Sequence, residues 1–284
     1  MLPESINKKV KGHFDADIAD LNAVHGGDIN NAAQITLDNG VNYFIKWNVN
    51  ADPSMFSKEA KGLKILSEAE SGLHIPNTVT FGESFLIMEW VNEGSKSKHS
   101  SFQFGRQLAL LHKNTSDYFG LDHDNFIGKL HQSNTKHSNW SDFFAIERIE
   151  PQIQLAIEND KIERSLFRSI QKLYGKLGHI FPQEEPALLH GDLWSGNYMF
   201  DNNSNASIFD PAVYYGHREM DLSMTRLFGG FSGDFYDGYN EEYPVEEGFE
   251  DRIKLCNLYP ILVHANLFGG SYSRQAEQII HHYA

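Results

Sequence analysis

The chain has 284 residues, 40% of them apolar and 22% charged, with a formal net charge of −14. That length predicts two domains or one domain of two lobes, and the acidic balance excludes nucleic acid and anionic membrane partners, which need clustered Lys and Arg. Cys256 is the single cysteine, so no intrachain disulfide can form. Residues 1–6 lack the features of a secretion signal, and no run nears the ~20 apolar residues of a membrane span; a cytoplasmic protein is expected.

Residues 4–22 carry Ile6, Val10, Phe14, Ile18 and Leu21 at spacings of three and four, which predicts an amphipathic helix. After Gly26 and Gly27, Ala33, Ile35 and Leu37 alternate with polar residues as a strand; Asp38-Asn39-Gly40 signals a tight turn, and residues 41–47 return as its partner. Gly26 and Gly27 fall short of a full G-x-G-x-x-G, so a structural turn is their first reading and backbone N–H contact with a phosphate their second. Residues 55–70 read as a helix with the stripe Phe56, Leu63 and Leu66, and Gly72 as its stop signal. Glu59 points with that stripe. A carboxylate facing a core needs a cation, and Lys46 on the preceding strand is the candidate. Kinases use this pairing, a strand lysine fixed by a helix glutamate, to hold the nucleotide's phosphates.

Two more strands are expected over residues 77–81 and 84–91, followed by the polar linker Asn92-Glu93-Gly94-Ser95-Lys96-Ser97. This shift in composition divides the chain into an N-terminal nucleotide-binding lobe (1–91), a hinge (92–97) and a C-terminal catalytic and substrate lobe (98–284). Backbone groups around Met88, Glu89 and Val91 are placed to meet an adenine edge, and a plain edge strand fits these residues equally. Beyond the hinge the chain turns helical: residues 102–115, 140–157 (interrupted or kinked at Pro151) and 162–180, with a polar loop over 120–128. An apolar lead, Ala187-Leu188-Leu189, then feeds His190-Gly191-Asp192-Leu193-Trp194-Ser195-Gly196-Asn197; a hairpin over 198–209 ends on Asp210, and the remainder is mostly helix.

An Asp, an Asn five residues on, and an Asp beyond a hairpin suit metal-assisted phosphoryl transfer. Asp192 would orient and deprotonate the attacking hydroxyl, and Asn197 and Asp210 would hold Mg2+ against the phosphates of ATP. Strands with one helix, a hinge, and helices around a small hairpin site describe an α+β, bilobal protein-kinase-like fold with the nucleotide between the lobes. Gly191 stands where protein kinases place an arginine, and Pro211-Ala212 follows Asp210 where they place Phe-Gly. About six residues lie between Asp210 and His217, too few for a long phospho-regulated loop. A small acceptor is therefore expected.

The block from His190 to Asn197 and the block Phe209-Asp210-Pro211-Ala212-Val213-Tyr214-Tyr215-Gly216-His217-Arg218-Glu219-Met220-Asp221-Leu222 together resemble the fructosamine kinase (ketosamine-3-kinase) family. So do residues 120–128, 143–148, 224–231 and 266–270, which extends the resemblance over essentially the whole chain. Aminoglycoside and choline kinases share only the sparser His-x-Asp-x-x-x-x-Asn and Asp. The resemblance implies an aminoglycoside-phosphotransferase-like fold and ATP-dependent phosphorylation of the 3-hydroxyl of a ketosamine, free or on a glycated protein side chain. It also implies Asp192 as base and Asn197 and Asp210 as metal ligands. Trp194 is a candidate sugar platform or a packing residue. His217 and Asp221 bind substrate or brace the loop, and Arg218 is expected to brace it through Glu219 or Asp221. The rival readings are a kinase of another amino-sugar or amino-alcohol, a nucleotide-binding regulator without catalysis, and a metal hydrolase using His190, Asp192 and His217. No oligomeric state follows from the sequence.

Overall fold

In the computed structural model, which describes residues 2–24 and 29–284, helix α1 (Glu4–Phe14) is half the length its periodicity predicts. It ends at Asp15 in the left-handed region, φ 49°, and the chain becomes strand β1 (Ile18–Ala23). The spacing of three between Ile18 and Leu21 comes from a β-bulge. Ile18 faces Leu37 and Leu21 faces Ile35 across the ladder, with the register slipping between Ile18 and Asp20. One extra residue in a strand puts positions three apart on the same face, which reproduces helical spacing without a helix.

β2 (Asn31–Leu37), β3 (Asn42–Trp47), α2 (Met55–Glu68), β4 (Thr78–Gly82) and β5 (Phe85–Glu89) complete the N-terminal lobe as an antiparallel sheet of order β1-β2-β3-β5-β4. Ile6 and Val10 of α1 pack on one face of it, against Ile35, Ile45, Trp47 and Ile87. On the other face, Leu86 and Met88 meet Phe56, Leu63 and Leu66 of α2, and the same apolar cluster continues into the second lobe through Phe104, Leu108, Ile208, Val213 and Leu222. The linker between the lobes is itself tied down. Gly94 N–H donates to Phe200 O at 2.7 Å, and a Cβ on Gly94 would lie 2.0 Å from Asp201 O, so only glycine allows this crossing.

The second lobe contains α3 (Lys98–His112), the hairpin β6 (Asn125–Ile127) and β7 (Leu130–Gln132), α4 (Trp140–Phe143), α5 (Glu150–Glu158), α6 (Phe167–Ile180), β8 (Ala187–Leu189), β9 (Tyr198–Phe200), β10 (Ala206–Ile208), β11 (Tyr214–Gly216), and helices α7 (Glu219–Leu227), α8 (Gly233–Glu242), α9 (Phe249–Cys256), α10 (Leu258–Phe268) and α11 (Ser271–Tyr283). Ser97 caps α3 through a reciprocal bond with Ser100. The segment read as a polar loop over 120–128 runs into the β6–β7 hairpin, which packs beside α2. The interruption expected at Pro151 is a π-helical turn over Phe144–Ile149, with Pro151 in the first turn of α5. Proline has no N–H for the carbonyl four residues back, and that carbonyl, Glu147 O, instead accepts from Arg148 Nη1 at 3.2 Å. Among the described residues no helix is long and apolar enough to cross a membrane.

Candidate active site

Alternation along β3 turns Ile45 and Trp47 into the outer core and Lys46 the other way, toward the cleft. Lys46 is 5% exposed, and its Nζ lies 2.7 Å from Glu59 Oε2 and 2.6 Å from Asp210 Oδ1. Burial opposes the charge on Lys46, but the two carboxylates prevail and raise its pKa above the ordinary lysine value. Burial pushes Glu59 up to about 7 against the pull of Lys46, and its Oε1 is buried without a hydrogen-bond partner. Asp210 is opposed by desolvation too, yet the charge and hydrogen bond of Lys46 hold it below the usual carboxylate range. Asp210 has φ 60° and precedes proline. A left-handed residue with a side chain is strained by about 1 kcal/mol or more and persists only where its surroundings enforce it.

The loop bearing Asp192 and Asn197 leaves β8, which pairs with β11. Asp221, buried in the first turn of α7, accepts His190 N–H at 2.7 Å and Gly191 N–H at 2.9 Å. Against the pull of burial, its bonds with His112 and the loop keep Asp221 ionised below the ordinary range. His112 lies 3.3 Å from that carboxylate and takes a 2.8 Å bond from Tyr239 on its other nitrogen. His190 is buried and desolvation lowers its pKa, so the ring is neutral: Nε2–H donates to Phe209 O at 3.0 Å and Nδ1 accepts from Asp192 N–H at 3.3 Å. Gly191 replaces the protein-kinase arginine for a steric reason. It has φ 83°, and a Cβ there would lie 2.1 Å from Ala212 O. Gly191→Ala is expected to lower Tm and, by displacing Asp192, to reduce turnover about 100-fold; a thermal melt and initial rates read both, and wild-type turnover would contradict this steric account.

Asp192 is half-buried at the cleft, and its pKa rises to about 8 through burial and the nearby charge of Asp210. Asn197 Nδ2 donates to Asp192 O at 2.8 Å and to Asp192 Oδ2 at 3.1 Å. That commits the nitrogen and leaves Asn197 Oδ1 as a hard donor. Asp210 Oδ2 likewise takes no hydrogen bond among the described residues, Oδ1 alone being held by Lys46. Among the described residues no group of three or more His, Cys, Asp or Glu side chains is gathered to hold a metal alone. One amide oxygen and one carboxylate fit a divalent ion whose remaining ligands are phosphate oxygens and water.

A model of the fructosamine kinase family matches residues 3–284. The chain belongs to the fructosamine kinase family. A protein described as a probable ketoamine kinase from Enterococcus faecium is 38% identical over 92% of this chain and 94% of its own. A chloroplastic protein-ribulosamine 3-kinase from Arabidopsis thaliana is also 38% identical, over 94% of this chain and 83% of its own. A Thermobifida fusca protein solved as a candidate fructosamine-3-kinase superposes with a TM-score of 0.89 at 32% identity, covering 99% of each chain. An aminoglycoside phosphotransferase solved with gentamicin shares the fold alone, with a TM-score of 0.64 at 15% identity over 100% of this chain and 95% of its own. The bilobal kinase-like fold expected from the sequence is thus borne out, and as a fructosamine kinase family member the chain is a phosphotransferase.

Other residues singled out in the sequence fall in different places. Gly26 and Gly27 lie outside the described residues. Met88 is buried toward α2. Glu89 spends its carboxylate on Asn77 and on His74 at 2.8 Å, and its N–H on Asn77 O. Among the described residues the backbone of Val91 makes no hydrogen bond. Trp194 is half-buried with its ring folded over Gly196, where a Cβ would come within 2.3 Å of it, and it meets Phe228 edge-on at 5.8 Å. His217 is buried among Trp140 and Phe181, 3.6 Å from Glu184. Neither it nor Asp221 reaches the cleft, so both belong to the support. Arg218 braces through Glu184, at 2.7 Å, and through the carbonyls of Tyr243 and Pro244, while Glu219 pairs with Arg252. Glu184 was invisible in the sequence because it stands in a proline-flanked loop with no periodicity to orient it.

Proposed function

We propose that this chain is an ATP-dependent kinase that phosphorylates the 3-hydroxyl of ketosamines of the fructosamine or ribulosamine type. The observation that carries this reading is the assembled trio of Lys46, Glu59 and Asp210 beside the Asp192–Asn197 loop. Family membership and the names of the relatives support the acceptor class. Asp192 takes the proton of the acceptor hydroxyl, and Lys46, kept charged by its two carboxylates, steadies the phosphates. Asn197 and Asp210 hold Mg2+, which supplies charge neutralisation on those phosphates. Catalysis is then positioning and electrostatics, with no covalent step for the protein. The exposed ring of Phe228 next to Trp194 continues to His264 at 5.2 Å and from there to Phe268. This aromatic row beside Asp192 suits an acceptor with an apolar sugar face.

The test is phosphate transfer from MgATP to a panel of a ketosamine, an aminoglycoside and choline. Transfer to the ketosamine alone is expected. Turnover confined to choline or the aminoglycoside would overturn the acceptor class, and nucleotide binding without transfer to any of them would overturn the kinase reading itself.

A further inference from the structure

Two hydrogen-bond chains of one polarity end on the carbonyls just after Asp210. In the first, Arg148 Nη2 donates to Asn134 Oδ1 at 2.7 Å, Asn134 Nδ2 to Asn125 Oδ1 at 3.0 Å, and Asn125 Nδ2 to Val213 O at 2.8 Å. In the second, Tyr259 OH donates to Gln132 Oε1 at 2.7 Å, and Gln132 Nε2 to Ala212 O at 3.0 Å. They are cross-linked where Gln132 Nε2 also donates to Asn125 Oδ1 at 2.8 Å. All three amides are at most 5% exposed. On the opposite side of the same segment, Ala212 N–H donates to His190 O at 2.9 Å. The segment carrying Asp210 is therefore held between the catalytic loop and this ladder.

The ladder is costly in a way that packing does not require. Arg148 is fully buried with no carboxylate partner among the described residues. Its two terminal nitrogens donate to the carbonyls of Ser133 and Glu147 and to Asn134 Oδ1, its Nε is buried without a partner, and the ring of Tyr214 lies 4.0 Å from the guanidinium. It also rides the π-helical turn, a feature that recurs at functional sites. An apolar core would fill this space without the desolvation of a cation and three amides; what a cross-linked network in which all three amides are bonded adds is a single fixed geometry.

We infer that the ladder headed by Gln132 and Asn125 is a positioning device that holds Asp210 in its left-handed conformation and so sets the enzyme's affinity for its divalent cation. Gln132 and Asn125 touch no reacting atom in this scheme; they act through the backbone of residues 212 and 213. The inference rests on the metal assignment proposed above.

Gln132→Glu tests it with almost no change in volume. Glutamate keeps an acceptor for Tyr259 but sets a carboxylate oxygen against Ala212 O and Asn125 Oδ1. Mn2+ binding in the presence of ADP, followed by electron paramagnetic resonance of the free ion, is expected to weaken about tenfold or more. ADP affinity without metal stays unchanged, and KM for Mg2+ rises while kcat recovers at saturating Mg2+. Tyr259→Phe, a gentler cut in the same chain, gives a smaller loss in the same direction and serves if Gln132→Glu does not fold. Ile6→Ala, a core variant in the separate cluster between α1 and the N-terminal sheet, lowers Tm with Mn2+ affinity intact. Wild-type Mn2+ affinity in the folded Gln132→Glu or Tyr259→Phe protein would overturn the inference. Failure of the wild-type protein with ADP to take up Mn2+ would instead overturn the metal assignment, and the inference with it.

Discussion

Asp192→Asn is expected to lower kcat for ketosamine phosphorylation by about a thousandfold, the order contributed by a positioned general base. The variant keeps the shape of the site. An asparagine oxygen still accepts from Asn197 Nδ2, and the two backbone bonds of residue 192, N–H to His190 Nδ1 and O from Asn197 Nδ2, do not involve its side chain. Nucleotide affinity, measured by calorimetric titration, should therefore stay at the wild-type level while turnover collapses. Turnover near wild type would remove Asp192 from the reaction, and a parallel loss of nucleotide binding would make it a phosphate-site residue instead.

The second large effect concerns Lys46. Lys46→Met removes the cation proposed above to steady the phosphates and leaves Glu59, whose side chain is 9% exposed, without its partner. Activity is expected to fall about 100-fold or more, and stability by about 3 kcal/mol, as when one member of a buried ion pair is deleted. The stability loss should depend on pH in a defined direction. With Lys46 present the Glu59 carboxyl already sits at about 7, above its unfolded value, because of burial. Without Lys46 its folded pKa climbs further. A carboxyl raised on folding costs stability as pH rises from its unfolded pKa, about 4.3, toward its folded one. The gap in Tm between variant and wild type should thus stay level at acidic pH and widen as pH rises above about 7, where wild-type Glu59 ionises and the stranded one does not. The double variant Lys46→Met/Glu59→Gln should recover most of the stability and none of the activity. A gap that narrows with rising pH would mean that Glu59 is not the group left stranded.

The trio was legible because each member broke a local rule: a lysine in an apolar strand, a glutamate on the apolar stripe of a helix, and an aspartate ending an apolar segment. The supporting residues broke none. Asp221 and His217 looked like loop polar groups able to face substrate, and only the docking of α7 under the loop turns Asp221 into the acceptor for two successive N–H groups. Arg218 had acidic neighbours in sequence, yet it pairs with a residue 34 positions away. Local spacing was also misleading where the chain departs from regular geometry: the bulge after Ile18 imitates a helix, and the π-helical turn before Pro151 moves the expected kink. Such departures depend on partners distant in sequence, which single-chain periodicity does not encode.

The apolar cluster that runs from α2 and β5 into α3, β10 and Val213 ignores the lobe boundary drawn by the linker. Fully burying a leucine or phenylalanine side chain is worth about 1.5–3 kcal/mol, and neither lobe can withdraw from this cluster without exposing several at once. The cleft is thus floored by shared core, and the two lobes should melt as one cooperative unit. A nucleotide that tightens the cleft should then protect the backbone amides of α3 as much as those of the sheet.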